Sequence, residues 1–189
     1  MYQKIFKIIF IITFIFGIAL LIKPVYFYSK GFLIQFLLID SWNEYKNKRI
    51  KKYSWFDFEP IGKLIIPKIS LEYIVLDGSD DNQLSYGLGK VDDSALLHEK
   101  KQNIIIAGHR DSFFKKLQHI SKNDKIILEH VEGASIYRVE NIIIVNPSES
   151  SYAKNNKKNS LTLITCFPFS FIGDAPKRFI VECSLLGIK

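Results

Sequence analysis

Near its C-terminal end the chain reads Thr162-Leu163-Ile164-Thr165-Cys166, a run of β-branched and apolar residues that ends in a cysteine. Phe167-Pro168-Phe169 follows directly, and the proline has no N–H to donate to a neighbouring strand. The pattern therefore predicts a strand with a thiol at its end. Because strand ends lie at the rim of a sheet or barrel, side chains from distant parts of the chain can meet this thiol there.

Two other segments carry side chains that match the thiol chemically. His109 directly follows the apolar run 104–107, and Arg178 directly precedes the apolar run that starts at residue 179. A free thiol with a pKa of about 8.5 is mostly protonated at neutral pH, and a histidine can take its proton and later protonate a leaving amine. An arginine offers a permanent charge and several N–H donors to an oxyanion. Together with Cys166, these residues predict acyl-transfer chemistry.

The motifs around these residues occur in a characteristic order: GHRDSFF at 108–114, TLITC at 162–166 and APKRFIV at 175–181. In this order, behind an apolar N-terminal segment, they resemble the sortase family of cysteine transpeptidases. The resemblance covers residues 61–186. The segment CFPFSFIGDAPKRFIV at 166–181 is most similar to the class D and Gram-negative-type branch. It implies a closed β-barrel with Cys166, His109 and Arg178 as catalytic residues.

The resemblance also implies a reaction and its partners. Cys166 would attack an LPxTG-like sorting signal near the C-terminus of a secreted protein, and a thioester would form. His109 would protonate the leaving amine, while Arg178 and a backbone N–H hold the oxyanion. The implied partners are that secreted protein and an amine acceptor, either a cell-envelope component or a protein amine. Eleven residues separate Cys166 from Arg178, so the loop between them is short.

The chain begins with an apolar segment. Residues 5–22 contain only Lys7 and Thr13 as polar residues and span about 27 Å as a helix, close to the hydrocarbon core of about 30 Å. No small-residue cleavage site follows, which favours an uncleaved anchor. Lys4 and Lys7 precede the uninterrupted apolar run at 8–22 and Lys23 and Lys30 follow it, so charge does not decide its orientation. The resemblance implies a single-pass protein of the cytoplasmic (inner) membrane, with its catalytic domain on the extracytoplasmic or periplasmic side.

The next segment is apolar from 32 to 39, too short to cross a membrane, and is expected to form a short helix. A basic stalk follows, and residues 1–59 carry nine basic and four acidic side chains, a net charge of +5 out of +7. Attraction to anionic membrane lipid explains this charge without nucleic acid, since no nucleic-acid motif accompanies it. A solvated linker is the equal alternative. The stalk consists of Lys46, Lys48, Arg49, Lys51 and Lys52.

From residue 60 onward, short apolar runs alternate with turn residues. Strands are expected at 63–66, 72–76, 103–107, 125–131, 135–145, 161–165 and 179–186. Glu132-Gly133 predicts a hairpin, and short helical turns are expected at 81–86 and 112–117. Seven or eight strands without a long helical pattern predict an all-β closed barrel. The predicted organisation is a membrane anchor at 1–30, a juxtamembrane helix and basic stalk at 31–59, and the catalytic barrel at 60–189.

The sequence predicts no metal and no cofactor. His98, His119 and His130 lack metal-ligand spacing, and the two cysteines are 17 residues apart with no CxxC motif. Acidic pairs at 80–81 and 92–93 are typical of solvated loops.

Three further side chains near the motifs have roles that the sequence leaves open. Thr165 is a candidate substrate-binding residue that lines the groove, or a plain strand threonine. Asp111 is a candidate third catalytic member that orients the histidine; otherwise it caps the following turn or pairs with Arg110. Alternation along 178–185 puts Arg178 and Cys183 on opposite faces, which disfavours a disulfide to Cys166.

Two other function classes remain open. Papain-like and cell-wall-peptide cysteine hydrolases usually place the cysteine before the histidine, whereas here His109 precedes Cys166. An extracytoplasmic cysteine peptidase would release a free acid instead of a transfer product. A non-catalytic, membrane-tethered binding module would need no reactive thiol.

Overall fold

The structure is a computed structural model that describes residues 2–48, 59–92, 94–99, 102–149 and 159–189. Most of the predicted basic stalk, including Arg49, Lys51 and Lys52, lies outside the described residues. The same holds for Asp93 of the second acidic pair.

The N-terminal part is one long helix, α1, at Tyr2–Lys48. Its segment Gln3–Lys23 has a mean hydropathy of 2.9 and is long and apolar enough to cross a membrane. The apolar run 32–39, predicted as a separate short helix, is part of α1. Pro24 and Gly31, the two residues of this region that most disfavour a helix, both lie inside α1 and end it at neither position.

The chain divides into two compact units, Met1–Phe36 and Leu37–Lys189. The second unit contains the last turns of α1 together with the strands. In it Leu38 and Trp42 have no exposed surface. Lys46 Nζ lies 3.0 Å from Glu129 Oε2, so one residue of the basic stalk is ion-paired to a strand. The division into segments 1–30, 31–59 and 60–189 stays a prediction.

Eight strands close into a barrel in the order β1-β2-β3-β4-β7-β8-β6-β5. Neighbours are antiparallel except β2 with β3 and β4 with β7, which run parallel. The predicted all-β closed barrel is confirmed. The strands are β1 Pro60–Ile66, β2 Leu71–Asp77, β3 Leu88–Lys90, β4 Asn103–Ala107, β5 Lys125–His130, β6 Gly133–Val145, β7 Ser160–Phe167 and β8 Lys177–Ile188.

Each of the seven expected runs overlaps a strand, and the hairpin is confirmed because β5 and β6 pair from His130 and Gly133 onward. Helical turns form at Asp81–Leu84 (α2) and, as a 3-10 helix, at Lys115–His119. A second 3-10 helix, Pro67–Ile69, joins β1 to β2. The sequence did not predict β3, which has three residues and forms only through its pairing with β2 and β4.

The barrel interior is filled from alternate positions of the strands. Along β8, Phe179, Val181 and Cys183 belong to the core, while Arg178 is half-buried. This confirms the alternation predicted for β8. Both cysteines are free thiols, with Cys183 in the core and Cys166 half-buried.

Buried polar side chains join the beginnings of β4 and β7. The side-chain oxygen of Asn103 accepts hydrogen bonds from Ser160 Oγ at 2.9 Å and from Thr162 Oγ1 at 3.0 Å. All three residues are buried, so losing this register would leave polar groups unpaired. The bonds therefore fix how β4 lies against β7.

The barrel should lose stability in alkali because Tyr137 must ionise on unfolding. Burial raises the pKa of Tyr137 from 10.0 to about 12. The folded state therefore retains this proton longer than the unfolded chain. The free energy of unfolding is therefore unaffected by ionisation of Tyr137 below pH 10. It falls as the pH rises toward 12, by at most about 2–3 kcal/mol from this residue.

Tyr137→Phe should reduce this loss, measured by urea unfolding of the full chain in detergent at pH 8 and at pH 11. Equal losses in the variant and the unsubstituted protein would contradict the assignment.

Candidate active site

Cys166 and Arg178 are direct neighbours across two strands. They are register partners in the antiparallel pair β7–β8. Directly opposed residues of such a pair project to the same face with Cβ atoms about 4.5–5.5 Å apart. Both side chains are half-buried, on the face opposite the core residue Phe179. The thiol and the guanidinium therefore share one face at the end of the barrel where β7 ends.

His109 reaches the same place through the parallel pair β4–β7. Ala107 is the register partner of Ile164, and the Gly108 N–H donates to the Ile164 carbonyl at 3.2 Å. His109 lies two residues beyond Ala107, and Cys166 lies two residues beyond Ile164. Continued for two residues, this register would set His109 level with Cys166. The three predicted catalytic residues lie at or just beyond the ends of three adjacent strands, β4, β7 and β8.

Close packing fixes the backbone on both sides of His109. A Cβ on Gly108 would lie 2.7 Å from Leu88 Cδ2 and 2.8 Å from Phe114 Cδ2, so a side chain there would force these buried residues to shift. After the histidine, the fully buried Phe114 donates its N–H to the His109 carbonyl at 2.9 Å. The histidine therefore sits on a short, anchored turn.

Thr165, predicted either as a substrate-binding residue of the groove or as a plain strand threonine, is only 3% exposed. Its Oγ1 donates to the Gly108 carbonyl at 2.7 Å. Because the hydroxyl is buried and already bonded, this geometry fits a residue that holds Gly108, and through it His109, beside Cys166.

Arg178 is bonded to its own loop. Its Nη1 donates to the carbonyls of Ala175 at 3.2 Å and Lys177 at 3.1 Å. Among the described residues, its Nε and Nη2 have no hydrogen-bond partner, so these donors are available to a substrate oxygen.

The residues directly after the cysteine pack inward. The ring centroids of Phe167 and Phe169 lie 6.3 Å and 5.1 Å from that of the buried Phe179. This aromatic cluster fixes the chain just beyond Cys166. Farther along the same loop Phe171 and Ile172 are exposed.

Arg110 is the residue of this region that the sequence did not identify. Pairing with Asp111, one of the three alternatives for that aspartate, is absent among the described residues. Asp111 is exposed, and Arg110 Nη2 donates to the carbonyls of Phe171 and Gly173. Backbone carbonyls carry no sequence signature, so only the position of Arg110 beside His109 could have drawn attention to it.

The histidines outside the motif lie apart from one another in sequence. Within the described ranges, no group of three or more His, Cys, Asp or Glu side chains could hold a metal ion. His130 is buried, and its Nε2 lies 3.1 Å from Ser135 Oγ. This histidine forms part of a polar contact between β5 and β6.

Thr165→Val should lower the free energy of unfolding by about 1–3 kcal/mol, because the buried Gly108 carbonyl loses its hydroxyl donor. Thr165→Ser keeps the hydroxyl and should retain most of that stability. Urea unfolding of both variants at one pH measures the difference. A valine variant as stable as the unsubstituted protein would show that the bond does not stabilise the fold.

Comparison with known proteins agrees with this geometry. Residues 64–186 match the family model of the sortase domain. The chain is 36% identical over 121 residues to Sortase D of Bacillus subtilis (strain 168), covering 64% of this chain and 61% of that protein. It is 32% identical over 133 residues to Sortase A of Bacillus anthracis, covering 68% and 61%. The matched part of the chain thus spans about three fifths of these relatives.

Solved structures share the fold. Sortase A from Corynebacterium diphtheriae superposes with a TM-score of 0.65 at 23% identity, covering 71% of this chain and 64% of that one. A Sortase D5 transpeptidase of Clostridium perfringens gives 0.65 at 20% identity, covering 82% and 99%. The match to a Sortase D agrees with the class D part of the predicted resemblance to the class D and Gram-negative-type branch. By family model, sequence identity and fold, this chain belongs to the sortase family.

Proposed function

We propose that this chain is a membrane-anchored cysteine transpeptidase. It cleaves an LPxTG-like sorting signal near the C-terminus of a secreted protein and transfers the acyl group to an amine. The observation that supports this proposal is the register of three strands, which pairs Cys166 with Arg178 and aligns the end of β4, just before His109, with β7. Membership of the sortase family supports the same chemistry.

In the first half-reaction the Cys166 thiolate attacks the carbonyl carbon of the sorting signal and forms a C–S bond. The resulting oxyanion accepts hydrogen bonds from the Nε and Nη2 donors of Arg178 and from a backbone N–H after the cysteine. Collapse of this intermediate breaks the C–N bond. His109 donates a proton to the departing amine, leaving a thioester on Cys166.

In the second half-reaction an acceptor amine attacks the thioester carbon. His109 takes a proton from that amine, and the sulfur leaves as a thiolate. A new amide bond forms, and the enzyme returns to its starting state. One bond is exchanged for an equivalent one, so the cycle needs neither an oxidant nor a cofactor. The acceptor is a cell-envelope component or a protein amine.

The membrane location is part of the proposal. Gln3–Lys23 would form a single-pass anchor in the cytoplasmic (inner) membrane. The catalytic unit would lie on the extracytoplasmic or periplasmic side, where secreted substrates are found. Lys46 is ion-paired to Glu129, so the other basic residues of the stalk would bind anionic lipid.

Cys166→Ala should abolish peptide cleavage, because no other side chain can form the thioester. The full chain in detergent is incubated with a library of LPxTG-like peptides and a small amine, and masses of protein and products are followed. Cys183→Ala is the matched control, since that thiol lies in the core and should be dispensable. Cleavage by the Cys166→Ala variant would refute the proposal, and a free acid as the only product would indicate a hydrolase.

Arg178→Gln should lower kcat by about 10²–10³, the usual cost of losing an oxyanion donor. The same variant should still react with a small alkylating reagent at Cys166, which shows that the thiol remains accessible. Single-turnover kinetics with the peptide identified above measure the effect. An unchanged kcat would remove Arg178 from the chemical step.

A further inference from the structure

Arg110 is a buried cation next to the proposed catalytic histidine. Its side chain is 9% exposed. The ion pairs among the described residues do not include it. A buried charge without a carboxylate partner must be stabilised by other polar groups.

Those groups belong to the loop between β7 and β8. Arg110 Nη2 donates to the Phe171 carbonyl at 2.6 Å and to the Gly173 carbonyl at 2.8 Å. Its guanidinium carbon also lies 5.9 Å from the centroid of the Phe171 ring, within the range of a cation–π contact. Nε is buried without a partner among the described residues, and there the hydrogen bonds of the guanidinium all run from Nη2 to this loop.

The same loop joins two of the proposed catalytic residues. It leaves β7 just after Cys166 and enters β8 just before Arg178. Arg110 holds its middle, at Phe171 and Gly173, while Arg178 bonds to Ala175 near its end. Because Arg110 adjoins His109, its side chain links the histidine turn directly to the loop.

We propose that Arg110 is a positioning residue that holds the β7–β8 loop in place as a wall of the substrate groove. Its acceptors are backbone carbonyls, so the link depends on the path of the loop and not on the loop's side chains. The effect on peptide binding rests on the proposed function. The ordering of the loop by Arg110 is independent of the proposed function and can be measured without substrate.

Arg110→Met tests the proposal because it keeps an apolar stem of similar length and leaves no buried charge. The full chain in detergent is compared with Arg138→Met, the matched control. Arg138 is an exposed residue of β6 that pairs with Glu140 at 2.9 Å. Amide hydrogen exchange in the loop, including the Phe171 N–H that donates to Pro168, should be about tenfold faster or more in Arg110→Met. It should be unchanged in Arg138→Met.

Peptide kinetics distinguish loop positioning from a direct chemical role. Arg110→Met should raise KM for the sorting peptide by about tenfold and change kcat by less than about threefold. Arg110→Lys keeps the charge but cannot reproduce the planar fork of donors. Its KM should therefore lie between that of the unsubstituted protein and that of Arg110→Met. A fall in kcat with unchanged KM would overturn the assignment.

Gly173 offers a second test from the other side of the contact. It has φ +93°, which an L side chain rarely adopts, so Gly173→Ala should shift the carbonyl that Arg110 binds. Gly187→Ala is its control, because a Cβ there meets nothing within 4 Å and φ of Gly187 lies outside the positive range that disfavours L side chains. Combined with Arg110→Met, the Gly173→Ala change should add little to the faster loop exchange.

Loop exchange at the unsubstituted rate in Arg110→Met, or full additivity with Gly173→Ala, would overturn the proposal. Failure of the proposed function would look different: the unsubstituted protein would then cleave no peptide, while the exchange result would stand unaffected.

Discussion

The parallel pairing of β4 with β7 is the constraint on which the site depends. Asn103 fixes its beginning through buried bonds to Ser160 and Thr162, and Thr165 fixes its end through the Gly108 carbonyl. A slip of one residue would leave these groups unpaired and turn each side chain of the slipped strand to the opposite face. The register therefore does more than close the barrel: it brings the end of β4, which His109 follows, to the same edge as the end of β7, which carries Cys166.

The antiparallel pair β7–β8 supplies the third group by the same means. Strand pairing places Cys166 opposite Arg178, and the aromatic cluster behind Cys166 keeps the end of β7 in position. The loop between Cys166 and Arg178 lies outside the sheet. Arg110 and Arg178 both donate hydrogen bonds to carbonyls of this loop. The site thus combines backbone positions set by the barrel with one short loop whose path depends on side chains.

The sequence predicted what depends on local pattern. The end of β7, the alternation along β8 and the β5–β6 hairpin follow from residue type and a period of two. It did not predict β3, whose three residues form a strand only against their neighbours. It also did not predict the environments of Thr165 and Arg110, because both donate to carbonyls of residues distant in the chain, and every residue carries a carbonyl. Helix α1 is also longer than predicted, because it continues through both Pro24 and Gly31.

The most direct test of the account is a structure of the full chain with a sorting-peptide analogue bound covalently to Cys166. The measured quantities are the distances from the analogue's carbonyl oxygen to the Arg178 guanidinium, and from its leaving-group position to the His109 ring. The account predicts that both distances are about 3 Å, with the two groups on opposite sides of the sulfur. A guanidinium bonded only to the Ala175 and Lys177 carbonyls, with the imidazole turned away, would contradict it.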